Sequence, residues 1–160
     1  MSERLPYFEL SKAAYRKLFE FSQAAQKESI DSGLRHLIDI RASQINGCAF
    51  CVDMHVKEAT IEGERALRLH HIATWRESPL FSEREKMALE WTEAVTNIST
   101  PDAVPDALYE KARTVFSEKE LSDLTLLIGI INTWNRLSVA FRAVPGSRDQ
   151  LLGITNSGLV

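Results

Sequence analysis

The residues most able to carry chemistry are two cysteines and a histidine in the stretch RASQINGCAFCVDMHVKEA, residues 41–59. Cys48 and Cys51 are the only cysteines of the chain, and His55 follows four positions after the second one. On an α-helix, residues three apart have Cα atoms about 5 Å apart, a separation that disulfides accept. Residues four apart share a face, so His55 can reach the Cys51 sulfur and take its proton. Because the thiolate is the reactive species, this spacing indicates redox chemistry.

The spacing leaves open which sulfur reacts first. The partial positive charge of a helix N-terminus favours a thiolate at Cys48, the more N-terminal sulfur. The histidine instead favours a thiolate at Cys51.

Two other interpretations compete with redox chemistry. A buried free cysteine is usually a small apolar core residue. Cys48, Cys51, His55 and His36 would also supply two thiolates and two imidazoles, an acceptable set of zinc ligands. A Cys-x-x-Cys inside a regular helix is not the usual zinc-knuckle turn, and the chain lacks a second cysteine pair. We therefore expect no metal and no cofactor, and we favour thiol chemistry over packing because both cysteines and the histidine share one face.

The composition is that of an ordinary soluble domain. The 160 residues are 44% hydrophobic and 26% charged, with a net charge of -3. We expect residues 1–160 to form a single domain, which is long enough to bury a core. The 19 Lys and Arg are scattered among 22 acids, so nucleic acid is not an expected partner. MSERLPYFELSK lacks the apolar region of a signal peptide, and the longest apolar run, LTLLIGII, is too short to span a bilayer. We expect a cytoplasmic protein without a membrane contact.

Apolar residues recur at helical spacing through nearly the whole chain, which predicts an all-α fold. Ser82 with Glu85, and Ser117 with Glu120, have the spacing of capping boxes. The tail from Pro145 is expected to be a mobile or partner-bound arm. Helices are predicted over residues 9–28, from Asp31 or Ser32 to Asn46-Gly47, from Cys48 to Glu62-Gly63, and over residues 65–76, 82–98, 106–116 and 117–143.

Two surface predictions follow from the same periodicity. In the helix that begins at Cys48, Asp53 and Lys57 should face water, opposite Val52, Val56 and Ala59. The last helix, with LTLLIGII continuing into INTWNRLSVAF, carries more apolar surface than one flank of a small bundle needs. The chain is therefore expected to form a homo-oligomer.

RASQINGCAFCVDMHVKEA resembles the core motif of the AhpD-like alkylhydroperoxidases, within the carboxymuconolactone decarboxylase superfamily. The segments ATWRESPLFSEREKMALEWTEAVTNIS and IINTWNRLSVAFRAVPG resemble later helices of the same group, so the likeness spans most of residues 34–145. The resemblance implies an all-α helical bundle with the Cys-x-x-Cys at the start of a helix, assembled as dimers, trimers or hexamers. It implies thiol-dependent reduction of hydroperoxides, with an external thiol or dithiol reductant restoring the cysteines.

The resemblance also implies roles for the site residues. Cys51 matches the peroxide-attacking cysteine, Cys48 its resolving partner, and His55 the proton-relay histidine. Twelve positions before Cys48, where the family has glutamate, this chain has His36. Asp39, in the same predicted helix, could orient His36 or replace the missing carboxylate. If His36 is the distal base of the relay, activity should rise as pH passes its pKa, ordinarily about 6.5.

Two rival functions remain. A decarboxylase of the muconolactone type belongs to the same superfamily, although that reaction requires no dithiol. A non-enzymatic redox-sensing module, whose disulfide changes its assembly, would also use Cys48 and Cys51.

Overall fold

A computed structural model of the chain describes residues 2–99 and 101–159, and within these ranges it contains helices and turns without a strand. This confirms the all-α prediction. The helices are α1 (Tyr7–Leu10), α2 (Lys12–Ala25), α3 (Ser32–Ile45), α4 (Ala49–Ile61), α5 (Ala66–His71), α6 (Glu83–Thr96), α7 (Asp106–Arg113), α8 (Glu118–Phe141) and α9 (Asp149–Leu152), with short 3-10 helices at Ile72–Thr74 and Thr155–Ser157.

Local capping fixes where the longer helices begin. Asp31 caps α3 by accepting a hydrogen bond from a backbone N–H three residues on. Both predicted capping boxes form, Ser82 with Glu85 at α6 and Ser117 with Glu120 at α8. Each cap satisfies N–H groups that have no partner inside the helix, which stabilises a helix by about 1 kcal/mol.

Some predicted helices are shorter in the structure. The segment 9–28 is divided into α1 and α2 at Ser11. The segment 65–76 forms α5 and then a 3-10 turn that ends at Thr74. The last long helix stops at Phe141 because Arg142 adopts a left-handed backbone conformation with φ of 56°, which cannot continue a helix.

The core lies around α3, which packs against α4, α6 and α8. Burying each aliphatic side chain contributes about 1.5–3 kcal/mol by removing apolar surface from water. Trp75 and Trp91 are buried in this core, and Trp134 packs against it. Six aliphatic side chains of α3, α6 and α8 are 0% exposed: Leu37, Ile38, Ile40, Leu89, Leu124 and Ile128.

A short turn joins α3 to α4 and is tied to α8. Gly47 has a φ of 66°, a left-handed conformation that glycine adopts without strain. The Asn46 side-chain amide donates hydrogen bonds of 2.9 Å to the side-chain oxygens of Asn132 and Asn135. The Cys48 N–H donates to the carbonyl of Ser43 over 2.9 Å. Two polar side chains of α8 thus hold the turn between α3 and α4 in place.

Helix α8 has 24 residues and is long and apolar enough to cross a membrane by length and composition alone. About half of its most apolar stretch, 44%, is buried inside the protein. Since α8 packs against α2, α3, α6 and α7, we interpret it as a core helix.

The tail from Pro145 was predicted to be a mobile or partner-bound arm. The mobile alternative was wrong for residues 146–157, because this part of the tail packs against α4 of its own chain. Ile154 is buried, and the Gly146 N–H donates a 3.0 Å hydrogen bond to Asp53. Lys57 lies beneath this segment, where it forms ion pairs of 2.9 Å with Asp53 and 2.7 Å with Asp149. The prediction that Lys57 faces water was therefore also wrong: its side chain is 5% exposed, since the tail covers that face of α4.

We expect Lys57→Ala to lower the free energy of unfolding by about 2 kcal/mol, because Asp53 and Asp149 lose a charged hydrogen-bond donor in a covered contact. Urea denaturation followed by circular dichroism measures this change. Lys12→Ala is the matched control: Lys12 pairs with Glu9 over 3.7 Å on the open surface, and its loss should change stability by less than about 0.5 kcal/mol. Equal effects of the two substitutions would contradict the bridging role of Lys57.

Candidate active site

The two cysteines lie at the N-terminus of α4 and form a disulfide, with their Cα atoms 5.3 Å apart. Cys48 is the N-cap residue, and its sulfur accepts a 3.3 Å hydrogen bond from the Cys51 N–H. Cys48 is 2% exposed and Cys51 1% exposed. The sulfurs are thus paired, buried, and close to the positive end of a helix dipole.

His55 lies one turn beyond Cys51 on α4 and is buried. Its Nδ1 is 2.8 Å from Oε2 of Glu58 and 3.9 Å from Oδ2 of Asp39. Its Nε2 has no hydrogen-bond partner among the described residues. One ring nitrogen is therefore held by carboxylates, while the other is available to a reacting group.

His36 reaches the same region from α3 and is 2% exposed. Its Nε2 lies 3.1 Å from Oε2 of Glu62, but the ring N–H is not aligned with that carboxylate for a hydrogen bond. His36 and Glu62 help to line a small cavity of about 230 Å³ at the surface between α3 and the end of α4. The structure thus brings His36 to the cluster that contains His55.

The cluster is rich in carboxylates, and burial determines how they titrate. Burial raises the pKa of Asp39 to about 6, because a charged carboxylate loses its hydration there. For His55 burial alone would lower the pKa, but the nearby Asp39 charge and the Glu58 hydrogen bond outweigh it, so the pKa of His55 is raised. The His55 imidazolium therefore persists to higher pH than that of an ordinary histidine.

His36 titrates in the opposite direction. Burial and the positive charge of Arg35 lower the pKa of His36, although Glu62 partly opposes them. His36 is consequently neutral at neutral pH. The His36 protonation step therefore lies below the ordinary histidine pKa of about 6.5, and the His55 step lies above it.

Two carboxylates of this cluster, Glu58 and Glu62, were not predicted from the sequence, and they provide the direct contacts of the two histidines. Asp39 contacts His55. Of the two roles suggested for Asp39, this position agrees with replacement of the missing carboxylate and not with orientation of His36. Glu58 could have been found from its position three residues after His55, because such residues are neighbours on a helix. The contact of Glu62 with His36 depends on how α3 meets α4.

The fold and the cysteine site define the class. The chain matches the carboxymuconolactone decarboxylase family over residues 12–94, and it belongs to that family. The fold is that of its AhpD-like members.

Three relatives illustrate the likeness. The uncharacterized protein YdfG of Bacillus subtilis is 40% identical over 140 residues, which are 88% of this chain and 95% of YdfG. A crystal structure from Agrobacterium tumefaciens, of a protein of unknown function described as a putative antioxidant defence protein AhpD, is 41% identical with a TM-score of 0.86, and the match covers 90% of this chain and 98% of that one. A peroxidase-related protein from Ralstonia eutropha, described as an alkylhydroperoxidase AhpD core, shares the fold at 20% identity, with a TM-score of 0.78 and coverage of 93% and 79%.

We expect Glu58→Gln to lower the pKa of His55, because the imidazolium loses a charged hydrogen-bond acceptor. Titration of the imidazole C–H resonances by NMR measures this change. Glu62→Gln is the matched control, since Glu62 contacts His36 and should leave the His55 titration in place. An unchanged His55 titration in Glu58→Gln would show that Asp39 alone holds the imidazolium.

Proposed function

We propose that the protein is a thiol-dependent peroxidase that reduces hydroperoxides through a Cys48/Cys51 dithiol–disulfide cycle. The observation that carries this proposal is the buried Cys48–Cys51 disulfide at the N-terminus of α4, one turn from a histidine that is held by carboxylates. Family membership supports an enzymatic role, and the putative antioxidant description of the Agrobacterium protein supports peroxide as the substrate class.

In the dithiol state, the neutral form of His55 takes the proton of the Cys51 thiol through Nε2 and becomes the imidazolium that Glu58 and Asp39 stabilise. The thiolate then attacks the terminal oxygen of the hydroperoxide, the O–O bond breaks, and the leaving alkoxide takes the proton and departs as an alcohol. Cys51 becomes a sulfenic acid. The Cys48 thiol condenses with it, which forms the disulfide and releases water. An external dithiol supplies two electrons and two protons and restores both thiols.

The choice of Cys51 as the attacking residue rests on its histidine. His55 follows Cys51 by one helical turn, whereas Cys48 receives the helix dipole and the Cys51 N–H. That N–H stabilises negative charge on Cys48, so Cys48 can act both as the resolving thiolate and as the leaving group when the disulfide is reduced.

His36 is proposed as the distal member of the relay. It is buried, neutral at neutral pH, and close to Glu62 at the wall of a cavity that reaches the surface. A neutral imidazole in that place can pass a proton between the His55 region and solvent. Glu58 and Asp39 are positioning residues that hold His55.

The proposed partners are a small hydroperoxide, an external thiol or dithiol reductant, and further copies of the chain. A cytoplasmic location suits a cycle that depends on such reductants. An apolar groove of about 650 Å³ runs along α8 and is lined by side chains of α2, α6 and α7. Phe21 and Leu126 line it and are 47% and 40% exposed, so the groove supports a homo-oligomeric interface.

One equivalent of peroxide should convert the two thiols of the reduced chain into one intramolecular disulfide. Cys51→Ser should abolish peroxide consumption, while Cys48→Ser should complete a single turnover and stop at sulfenic acid. Thiol titration, intact-mass spectrometry and dimedone trapping measure these outcomes. Sulfenic acid trapped on Cys48 in Cys51→Ser would assign the attack to Cys48, and intact thiols in the wild type after peroxide treatment would overturn the proposal.

Light scattering at micromolar concentration should give a mass that is a multiple of the 18.1 kDa chain. Leu126→Glu should reduce the mass to one chain, because a charge placed in an apolar contact remains unpaired. Leu151→Glu is the matched control: Leu151 is 81% exposed and lies outside the groove, so the assembly should persist. A wild-type mass of 18.1 kDa would disprove the interface.

A further inference from the structure

Beneath the disulfide site, side chains of α3 and α4 form a compact group of nitrogen and oxygen ligands. One nitrogen each of His36 and His55, and one oxygen of Glu58, lie within 4.8 Å of one another. Neither ring nitrogen of His36 has a hydrogen-bond partner among the described residues, and Nδ1 of His55 faces the Glu58 carboxylate over 2.8 Å. Buried nitrogens without partners cost free energy unless a ligand satisfies them. The structure therefore points to a ligand that accepts imidazole lone pairs.

We propose that His36, His55 and Glu58 form a binding site for a zinc-type divalent cation. Two imidazoles and one carboxylate are a ligand set that zinc accepts, with a fourth position left for water. Imidazole is a poor ligand for Mg²⁺ and Ca²⁺, which prefer oxygen, so the donor types select a transition ion. This site differs from the zinc set considered from the sequence, because both cysteines are committed to their disulfide.

The geometry needs only a small adjustment. Ligand atoms around a tetrahedral zinc ion are about 3.4 Å apart, given metal–ligand bonds of about 2.0–2.1 Å. The Glu58 side chain is 32% exposed and can rotate toward the two rings, which are fixed by burial. The 2.8 Å contact between His55 Nδ1 and Glu58 Oε2 already places two prospective ligands side by side.

The surrounding charges favour a cation. The Asp39 carboxylate is 3.9 Å from His55, and the Glu62 carboxylate is 3.1 Å from His36. A carboxylate that faces the second nitrogen of a metal-bound histidine is the usual outer partner in zinc sites, because it orients the ring. Glu62 faces Nε2 of His36 and can take this part when Nδ1 binds the cation, whereas Asp39 contributes negative charge beside Nδ1 of His55. Arg35, 3.9 Å from Glu62, is the opposing cation, and the carboxylates of Asp39, Glu58 and Glu62 outnumber it in this cluster. The cavity of about 230 Å³ lined by His36 and Glu62 provides an entry path.

A cation bound to Nδ1 of His55 would leave the ring proton on Nε2, so that this nitrogen could no longer take the proton of Cys51. This consequence rests on the proposed peroxidase function, whereas the binding itself does not. Zinc would then inhibit the cycle because His55 could no longer act as the base, and neither sulfur would bind the metal.

The test is a calorimetric titration of the oxidised wild-type protein with Zn²⁺ alone, after thiol titration has shown that no free thiol competes. We expect one Zn²⁺ per chain, no heat with Mg²⁺, and at least about tenfold weaker binding in His36→Gln and in Glu58→Gln. With Co²⁺ the complex should show visible d–d absorption without a thiolate charge-transfer band.

His70→Gln is the matched control, because His70 is an exposed histidine on α5 outside the cluster and its loss should leave zinc binding unchanged. If His36→Gln fails to fold, as judged by circular dichroism, Glu58→Gln at the partly exposed position decides alone. Absence of binding, binding that survives in both cluster variants, or binding that is lost in His70→Gln would each overturn the proposal. None of these readouts depends on peroxide turnover, so failure of the zinc site and failure of the peroxidase proposal remain distinguishable.

Discussion

The short connection between α3 and α4 is the constraint on which the rest of the site depends. Asn46 is held by two asparagines of α8, and Gly47 reverses the chain in a conformation that glycine adopts freely. Residues of α3, which precede this turn, therefore face residues of α4, which follow it. Asp39 meets His55, and His36 meets Glu62. A different turn would leave the cysteines at a helix start but would separate them from the carboxylates and the second histidine.

This arrangement places charge where a core would ordinarily exclude it. Asp39 and His55 are buried together, and each supports the ionised form of the other. Breaking such a buried pair by removing one partner is strongly destabilising, because the remaining charge has lost its hydration. The surrounding aliphatic residues of α3, α6 and α8 supply the stability that permits this polar cluster. The site is thus a local departure from core packing, supported by an ordinary apolar bundle.

Much of the fold was predictable because its determinants are local. The capping boxes of α6 and α8, the Asp31 cap and the Asn46-Gly47 ending all follow from side chains within a few residues of the backbone groups they satisfy. The Cys48–Cys51 pair and its His55 were likewise readable from spacing on one helix. The contact between Glu62 and His36 could not be predicted in this way, because it depends on the register between two helices. The burial of Lys57 was also not predicted, because a helical wheel describes one helix only. It cannot show that a segment distant in sequence covers that helix.

The near-complete burial of the two sulfurs has a consequence for the kinetics of the proposed cycle. Thiol–disulfide exchange requires a nucleophile to approach a sulfur atom directly, and Cys48 and Cys51 offer 2% and 1% of their surface. A protein-sized reductant can therefore react only with molecules in which the residues that cover the two sulfurs have moved aside. The fraction of such molecules is set by a local unfolding equilibrium, independently of how strongly reducing the surroundings are. The rate of turnover would then depend on this local unfolding equilibrium. Small thiols would react with the disulfide more readily than large ones.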